Sequence, residues 1–437
     1  MSSPTEQLTF HRGPRISFEG TIGRQMAEGG YGLIFEARRR PGGPDDVFVV
    51  KSAKPGAEKL LEIERRASEI LEHANVARYL GVAESAELGK LLAYERLAPN
   101  PLLALNAPGA RPRFRDPGTF YYPLPPGRAL ELAFDLVHAL AYIHARGFVH
   151  GDVKLANFMV RTRGPSRSIG ELLGNVAAGE FEGALIDLSS LRSVRVLEEI
   201  AHGKRARAHG PAITPLYAPP EAVVERRGGA GSVVFSKGMD VYAAGLVLYA
   251  LVTGRAPYGG ACAPSELRDP DVMREIKAAE GRGELSPIDD DAFDAIPLHD
   301  VVFTRGARHG WPIFRSCVAH LVRRCLDHDP ARRITAVAAR DYLARELLVL
   351  PAGPGAKRRF GQGLFDMRPL ANRLTGDAPR GGIRVVCSAD EVRAEEAAPP
   401  AAVAVPKPAP RRTKPLWFET EGFSESAEAA TRHLPSA

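Results

Sequence analysis

Apolar positions in the first hundred residues recur mostly at the spacing of a strand. Residues 20–37 (GTIGRQMAEGGYGLIFEA) read as two strands around a glycine-rich turn, and Val47–Lys51 (VFVVK) as a short β-branched strand that ends in a lysine. From Glu58 to Glu72 the period becomes helical, with Leu61, Ala67, Ile70 and Leu71 predicted on one apolar face. Leu91–Leu97 (LLAYERL) is a further strand. From Arg128 onward helices dominate. Residues 128–146 form an amphipathic helix stopped by Gly147, and more helices are predicted over 239–252, 314–326 and 334–347. Strands first and helices afterwards predict an α+β chain with a small β-rich part and a larger helical part.

Two stretches interrupt this pattern. Eight prolines lie between Pro99 and Pro126, which predicts an irregular insertion. A second insertion spans about Thr162 to Glu182. Beyond residue 350 the composition shifts to Pro, Ala and Glu, with 11 prolines from Pro351 to Ala437. Such a segment buries too little apolar surface to offset the entropy of ordering it, so a disordered tail is predicted. Within the tail, Leu416–Phe423 (LWFETEGF) is aromatic and is a candidate partner-binding motif.

Composition narrows the class. The net charge of +6 over 437 residues is too thin an excess to point to nucleic acid. The longest apolar run, Val241–Val252, is 12 residues; a bilayer span needs about 20, so a buried helix is expected and no membrane association. The first twenty residues have no apolar core of the export type. Four cysteines at irregular spacing (Cys262, Cys317, Cys325, Cys387) read as reduced thiols, and a cytoplasmic location is expected.

The chemistry-bearing residues come in sequence order. Ala27, Gly29 and Gly32 lie in a strand–turn–strand, where glycines let backbone N–H groups approach phosphate oxygens. Lys51 ends the next strand, and Glu64 lies on the following helix within reach of it. His150–Val160 (HGDVKLANFMV) is the densest local signal. In it Asp152 can orient a hydroxyl and take its proton, Lys154 can neutralise a transferring phosphoryl group, and the Asn157 amide oxygen can hold a metal. Asp187 ends a short apolar strand, where a Mg²⁺ ligand would face phosphates. Taken one at a time, these residues also suit ordinary turns, exposed lysines and helix carboxylates.

In this order, and from Met26 to about Leu347, the sequence resembles the eukaryotic-type Ser/Thr protein kinases. The glycine-rich pattern falls on Ala27, Gly29 and Gly32, with Tyr31 at its aromatic tip. The strand lysine matches Lys51 and its helix partner Glu64, followed by His73–Val76 (HANV), which is similar to the family's H-P-N-I. The catalytic loop matches His150, Asp152, Lys154 and Asn157; the metal-binding D-F-G matches Asp187, Leu188 and Ser189. The A-P-E segment matches Pro219, Pro220 and Glu221, its ion-pair partner Arg333, and the helix aspartate that braces the catalytic loop Asp240. The resemblance implies a bilobal kinase-like fold: an extension (1–19), an N-lobe (20–97), a C-lobe (98–349) with insertions near 99–127 and 162–182, and a tail (350–437). It implies ATP and Mg²⁺ as cofactors. Ala27, Gly29, Gly32, Ile34, Val49, Lys51, Glu95, Leu97 and Met159 would line the nucleotide, with Tyr94 closing the space behind adenine. Asn157 and Asp187 would hold the metal, and Asp152, Lys154, Lys51 and Glu64 would carry transfer to a protein hydroxyl. Lys154 with Thr214 looks like the Ser/Thr class.

Four departures from the family pattern involve five positions. Ala27 replaces the first glycine. Gly151 replaces the arginine that reads an activation-loop phosphate. Leu188 and Ser189 replace Phe and Gly, and Ser68 replaces an apolar residue on the helix of Glu64, which predicts a looser contact there. Autophosphorylation candidates are Ser189, Ser190, Ser193 and Thr214, and the basic run His202–Gly210 is a candidate docking loop. Two alternatives remain open: a non-catalytic scaffold of kinase shape, and a small-molecule phosphotransferase of the aminoglycoside or choline kinase type. His-Gly-Asp suits the latter; Lys154, Pro219-Pro220-Glu221 and Arg333 do not.

Overall fold

The computed structural model describes residues 6–346 apart from 44–45, 107–123, 125, 163–165, 167, 202–212, 225–234, 259–268, 295 and 297–309. The N-terminal part is a closed barrel of six strands: β1 (Gln7–Arg12), β2 (Ile16–Glu28), β3 (Gly32–Arg40), β4 (Val47–Ala53), β5 (Tyr79–Ser85) and β6 (Gly89–Glu95), in the order β1-β2-β3-β4-β6-β5. β1 pairs with β2 along its whole length and meets β5 at His11 and Val82, which closes the ring. The segment set apart as an extension therefore supplies a wall of the barrel. Alternation explains the closure. Phe10, Ile22, Phe35, Ala37, Phe48, Val50, Ala83, Leu91 and Ala93 all point inward and form one buried cluster. Phe10, Phe18 and Phe48 pack as a stacked pair crossed by an edge-on ring, at centroid distances of 5.2–5.4 Å.

Helix α1 (Glu58–Ile70) follows β4. Its buried residues are Leu61, Glu64, Ala67 and Ser68. Ile70, predicted on the apolar face, is instead half exposed at 50%. The helix turns two polar side chains inward because they have partners at the site below, and that rotation carries Ile70 outward.

The rest of the chain is mainly helical: α2 (Pro101–Asn106), α3 (Pro126–Ala145), β7 (Phe148–Val149), β8 (Phe158–Thr162), α4 (Ile169–Ala177), β9 (Phe181–Leu185), β10 (Arg192–Ser193), α5 (Val194–Ala201), α6 (Pro220–Val224), α7 (Lys237–Thr253), α8 (Pro270–Gly281), α9 (Gly310–Cys325) and α10 (Ala336–Glu346). Short helices α2 and α4 occupy parts of the two stretches read as insertions. Every residue of α7 from Met239 to Val252 is buried, as the apolar run predicts, and no described helix is long and apolar enough to cross a membrane. α3, α9 and α10 pack around it in one core with Leu136, Leu140, Ile143, Leu246, Leu321 and Leu343. The tail and the basic run His202–Gly210 lie outside the described residues.

Two backbone bridges join the barrel to the helical part. Ala98 exchanges both its hydrogen bonds with Val160 at 2.8 and 3.0 Å, and Leu185 lies between Asn75 and Ala77 at 2.9 and 2.8 Å. β8 and β9, the strands on either side of these bridges, carry the residues that flank the site.

Candidate active site

One cleft of about 680 Å³ lies between the barrel and the helices. Every residue assigned to the site from the sequence lines it: Ala27, Gly29, Gly32, Ile34, Val49, Lys51 and Glu64 from the barrel side, Glu95 and Leu97 at its back, and Asp152, Lys154, Asn157, Met159 and Asp187 from the helical side. Residues 136 apart in sequence thus meet. Lys51 Nζ donates to Glu64 Oε2 at 2.6 Å and to Asp187 Oδ1 at 2.8 Å. Gly32 makes room for this lysine. A Cβ at Gly32 would stand 2.7 Å from the Ser52 carbonyl oxygen and 3.3 Å from the Lys51 Cε.

Burial sets the electrostatics of this triad. Desolvation presses the Lys51 pKa down, but the charges of Asp187 and Glu64 outweigh it and raise the ammonium above its usual range. Burial works against Asp187 ionisation too, yet Lys51 and the Ser189 N–H hold that carboxyl well below the usual range. Glu64 is pushed up, chiefly by burial. Asp187 takes a left-handed backbone at φ 62° and caps the short turn Leu188–Ser190. The left-handed residue is therefore the aspartate, and Ser189 sits in an ordinary helical turn. Leu188 is buried in the same core as Ala67 of α1 and Leu71 just after it, so the aspartate and the helix that carries Glu64 share packing.

Across the cleft, Asp152 Oδ1 accepts from the Thr214 hydroxyl at 2.7 Å, and its Oδ2 lies 2.9 Å from Lys154 Nζ. Lys154 also donates to Thr214 Oγ1 at 3.1 Å. Asn157 donates its amide N–H groups to the Asp152 carbonyl and Oδ2 at 2.9 and 3.0 Å, which leaves its amide oxygen for another partner. That oxygen and the Asp187 carboxylate are hard donors suited to a Mg²⁺ that takes its remaining ligands from phosphates and water. No group of three or more His, Cys, Asp or Glu side chains forms a dedicated metal cage among the described residues.

The loop that bears Asp152 is braced from below. Asp240, 1% exposed, accepts from the His150 N–H at 2.7 Å, the Gly151 N–H at 2.8 Å and pairs with His144 Nε2 at 2.9 Å. Gly151 has φ +83°, and a Cβ there would stand 3.0 Å from both the Ser190 carbonyl oxygen and the Phe235 ring. A side-chain-bearing residue would cost about 1–2 kcal/mol in that left-handed conformation; glycine removes the strain. Further on, Arg333 grips Glu221 through both guanidinium ends at 2.5 and 2.9 Å.

Two sets of contacts at the site went unread in the sequence. Arg161 binds both Glu95 oxygens, at 2.8 and 2.5 Å, and also the Ala74 carbonyl and Glu182. The Glu95 carboxylate is thus spoken for, and only its backbone is free to meet a ligand. An arginine after the apolar run Phe158–Val160 was the available signal. Tyr94, expected to close the space behind adenine, and Ser68, noted as a departure, prove to be bonded to each other at 2.9 Å.

The match to a known family completes the picture. The family model described as protein kinase domain fits residues 21–344. The chain belongs to the protein kinase family. This kinase is 28% identical over 323 residues to CBL-interacting protein kinase 25 of Oryza sativa subsp. japonica, covering 72% of this chain and 48% of that protein. It is 28% identical over 366 residues to serine/threonine-protein kinase PkaA of Streptomyces coelicolor, covering 80% of this chain and 52% of that protein. The kinase therefore spans about half the length of these curated relatives.

Proposed function

We propose that the chain transfers the γ-phosphoryl group of Mg-ATP to a serine or threonine hydroxyl of a protein. The observation that carries this reading is the meeting of Lys51 and Glu64 on one wall of the cleft with Asp187, Asp152, Lys154 and Asn157 on the other. The barrel with α1 acts as the small lobe of a bilobal enzyme and the helical part as the large one. Ala27, Ile34, Val49, Leu97 and Met159 supply an apolar slot for adenine, with backbone groups between Glu95 and Leu97 at its edge. Lys51, held by Glu64, grips the α- and β-phosphates. Asp187 and Asn157 would hold Mg²⁺, which when bound neutralises charge on the phosphoryl oxygens. Asp152 orients the substrate hydroxyl and takes its proton as the new O–P bond forms and the bond to the ADP oxygen breaks. Lys154 steadies the charge on the group in transit.

The Lys154–Thr214–Asp152 cluster supports the Ser/Thr class, as does the similarity to the serine/threonine-protein kinase of Streptomyces coelicolor. Incubation with labelled ATP and Mg²⁺, followed by mapping of phosphorylated sites, tests activity and residue preference together. Asp152→Asn is expected to lower transfer by about 10²–10⁴-fold while leaving nucleotide binding intact. Transfer at the wild-type rate by that variant would remove Asp152 from its role. Absence of both autophosphorylation and a thermal shift with Mg-ATP would leave the scaffold reading instead.

A further inference from the structure

Ser68 was expected to loosen the seat of α1, because a small polar residue stands where an apolar one is expected. The structure gives it a partner 26 positions away. Tyr94, on β6, directs its hydroxyl beneath α1, 2.9 Å from the Ser68 Oγ, and donates to Glu64 Oε1 at 3.2 Å. The other oxygen of that carboxylate, Oε2, receives Lys51. Glu64 and Ser68 are 2% and 3% exposed and lie one turn apart on the same side of the helix. The Ser68 hydroxyl can donate a hydrogen bond to the phenol oxygen while the phenol donates to the carboxylate, so the three groups form one directed chain.

We propose that Tyr94 and Ser68 are positioning residues that hold Glu64 in the setting where it grips Lys51. Lys51 pulls on only one oxygen of Glu64. Without the phenol, Oε1 would be a buried carboxylate oxygen facing apolar side chains, and the carboxylate would move toward its neutral form. A neutral Glu64 no longer fixes the ammonium. The small size of Ser68 is part of the device, since its side chain leaves the space beneath α1 that the phenol fills. This inference rests on the reading of Lys51 as the holder of the nucleotide phosphates.

The test compares Tyr94→Phe and Ser68→Ala with wild type in the full chain. Tyr94→Phe removes one oxygen and keeps the ring in place. It is expected to lower kcat about tenfold, with a much smaller change in KM for ATP, because a hydrogen bond to a charged group is lost. Ser68→Ala is expected to give a smaller loss, about twofold to threefold, since it acts through the phenol. The acidic limb of the kcat profile should move to higher pH in Tyr94→Phe, which a purely structural role would not cause. Amide hydrogen exchange over 58–70 should quicken in Tyr94→Phe while that over 237–253 stays unchanged. Wild-type kcat, pH profile and exchange in Tyr94→Phe would overturn the proposal. If the wild-type chain transfers no phosphate at all, the functional reading fails on its own, and exchange over 58–70 still decides the latch.

Discussion

Among the described residues, Lys51 and Lys277 are both withdrawn from water, and of these two only Lys51 faces a cleft. Lys51 lies between two carboxylates, Glu64 and Asp187, with its side chain 14% exposed. Lys277, on α8, is 0% exposed and has one carboxylate, Glu280, at 3.3 Å. Around Lys277 the phenols of Tyr242 and Tyr258 complete the shell. Lys277 donates to both hydroxyls, and the hydroxyls donate to the two oxygens of Glu280, from Tyr258 at 2.6 Å. Its ammonium also lies 5.0 and 4.6 Å from the two ring centres. Ionised, the first group carries a net charge of −1 and opens on the cleft, where a cation can complete it. The second sums to zero, is saturated with internal hydrogen bonds and has no opening. Burial of a lysine thus marks a site only where charge is left over and a ligand can enter.

The largest expected effect separates the two lysines by what they damage. Lys51→Met is expected to lower phosphoryl transfer by about a thousandfold, because its loss removes a phosphate contact from a preorganised site; the thermal midpoint is expected to fall only modestly, because Glu64 and Asp187 line the open cleft, where proton uptake or a cation from solvent relieves the uncompensated charge. A melting curve beside an initial-rate measurement checks this. A collapse of the midpoint would place Lys51 with the structural lysine. Lys277→Met is expected to act in the opposite sense. It leaves the phenols of Tyr242 and Tyr258 and the Glu280 carboxylate without the contacts that Lys277 supplies, which costs about 1–3 kcal/mol of stability. Transfer per folded molecule should remain within about twofold of wild type, since Lys277 touches nothing in the cleft. Denaturant titration gives the first number. A loss under about 1 kcal/mol would mean that the phenols alone satisfy Glu280.

The contrast also explains what the sequence could reveal. Asp152, Lys154 and Asn157 fall within six positions, so local spacing was enough to find them. Lys51, Glu64 and Asp187 could be joined only through a family resemblance, because the contact spans 136 positions and each residue alone suits an exposed surface. Lys277 carried no signal whatever. A lysine on an amphipathic helix reads as solvated, and its burial is decided by Tyr242 and Tyr258 at 35 and 19 positions' distance. The fold shows the same limit. The main helices and most barrel strands were legible from period and β-branching. β1 was not, because a six-residue strand with two apolar side chains, Leu8 and Phe10, gains its stability only from pairing with β2 and β5. Ile70 misled because helical period counts apolar residues, whereas α1 is turned by its polar contacts.

The sealed cluster makes a smaller and more specific prediction in the pH dependence of stability. Desolvation lowers the Lys277 pKa from its ordinary 10.5 to about 8, against the opposing pull of Glu280. The unfolded chain keeps this proton until about pH 10.5, while the folded chain gives it up near 8. Between those values the unfolded state binds more protons, so this group makes stability rise with pH. The contribution is fully present above the unfolded value and is lost as pH falls through the folded one. Its ceiling is about 3 kcal/mol, set by the size of the shift. Other groups titrate in the same range, so the measurement is a difference: denaturation of wild type and of Lys277→Met at pH 7.5, 9 and 10.5. The gap between the two proteins should widen with rising pH, as wild type gains what the variant cannot. A constant gap would mean that Lys277 keeps its proton throughout, held by Glu280 as firmly as Lys51 is held by its two carboxylates.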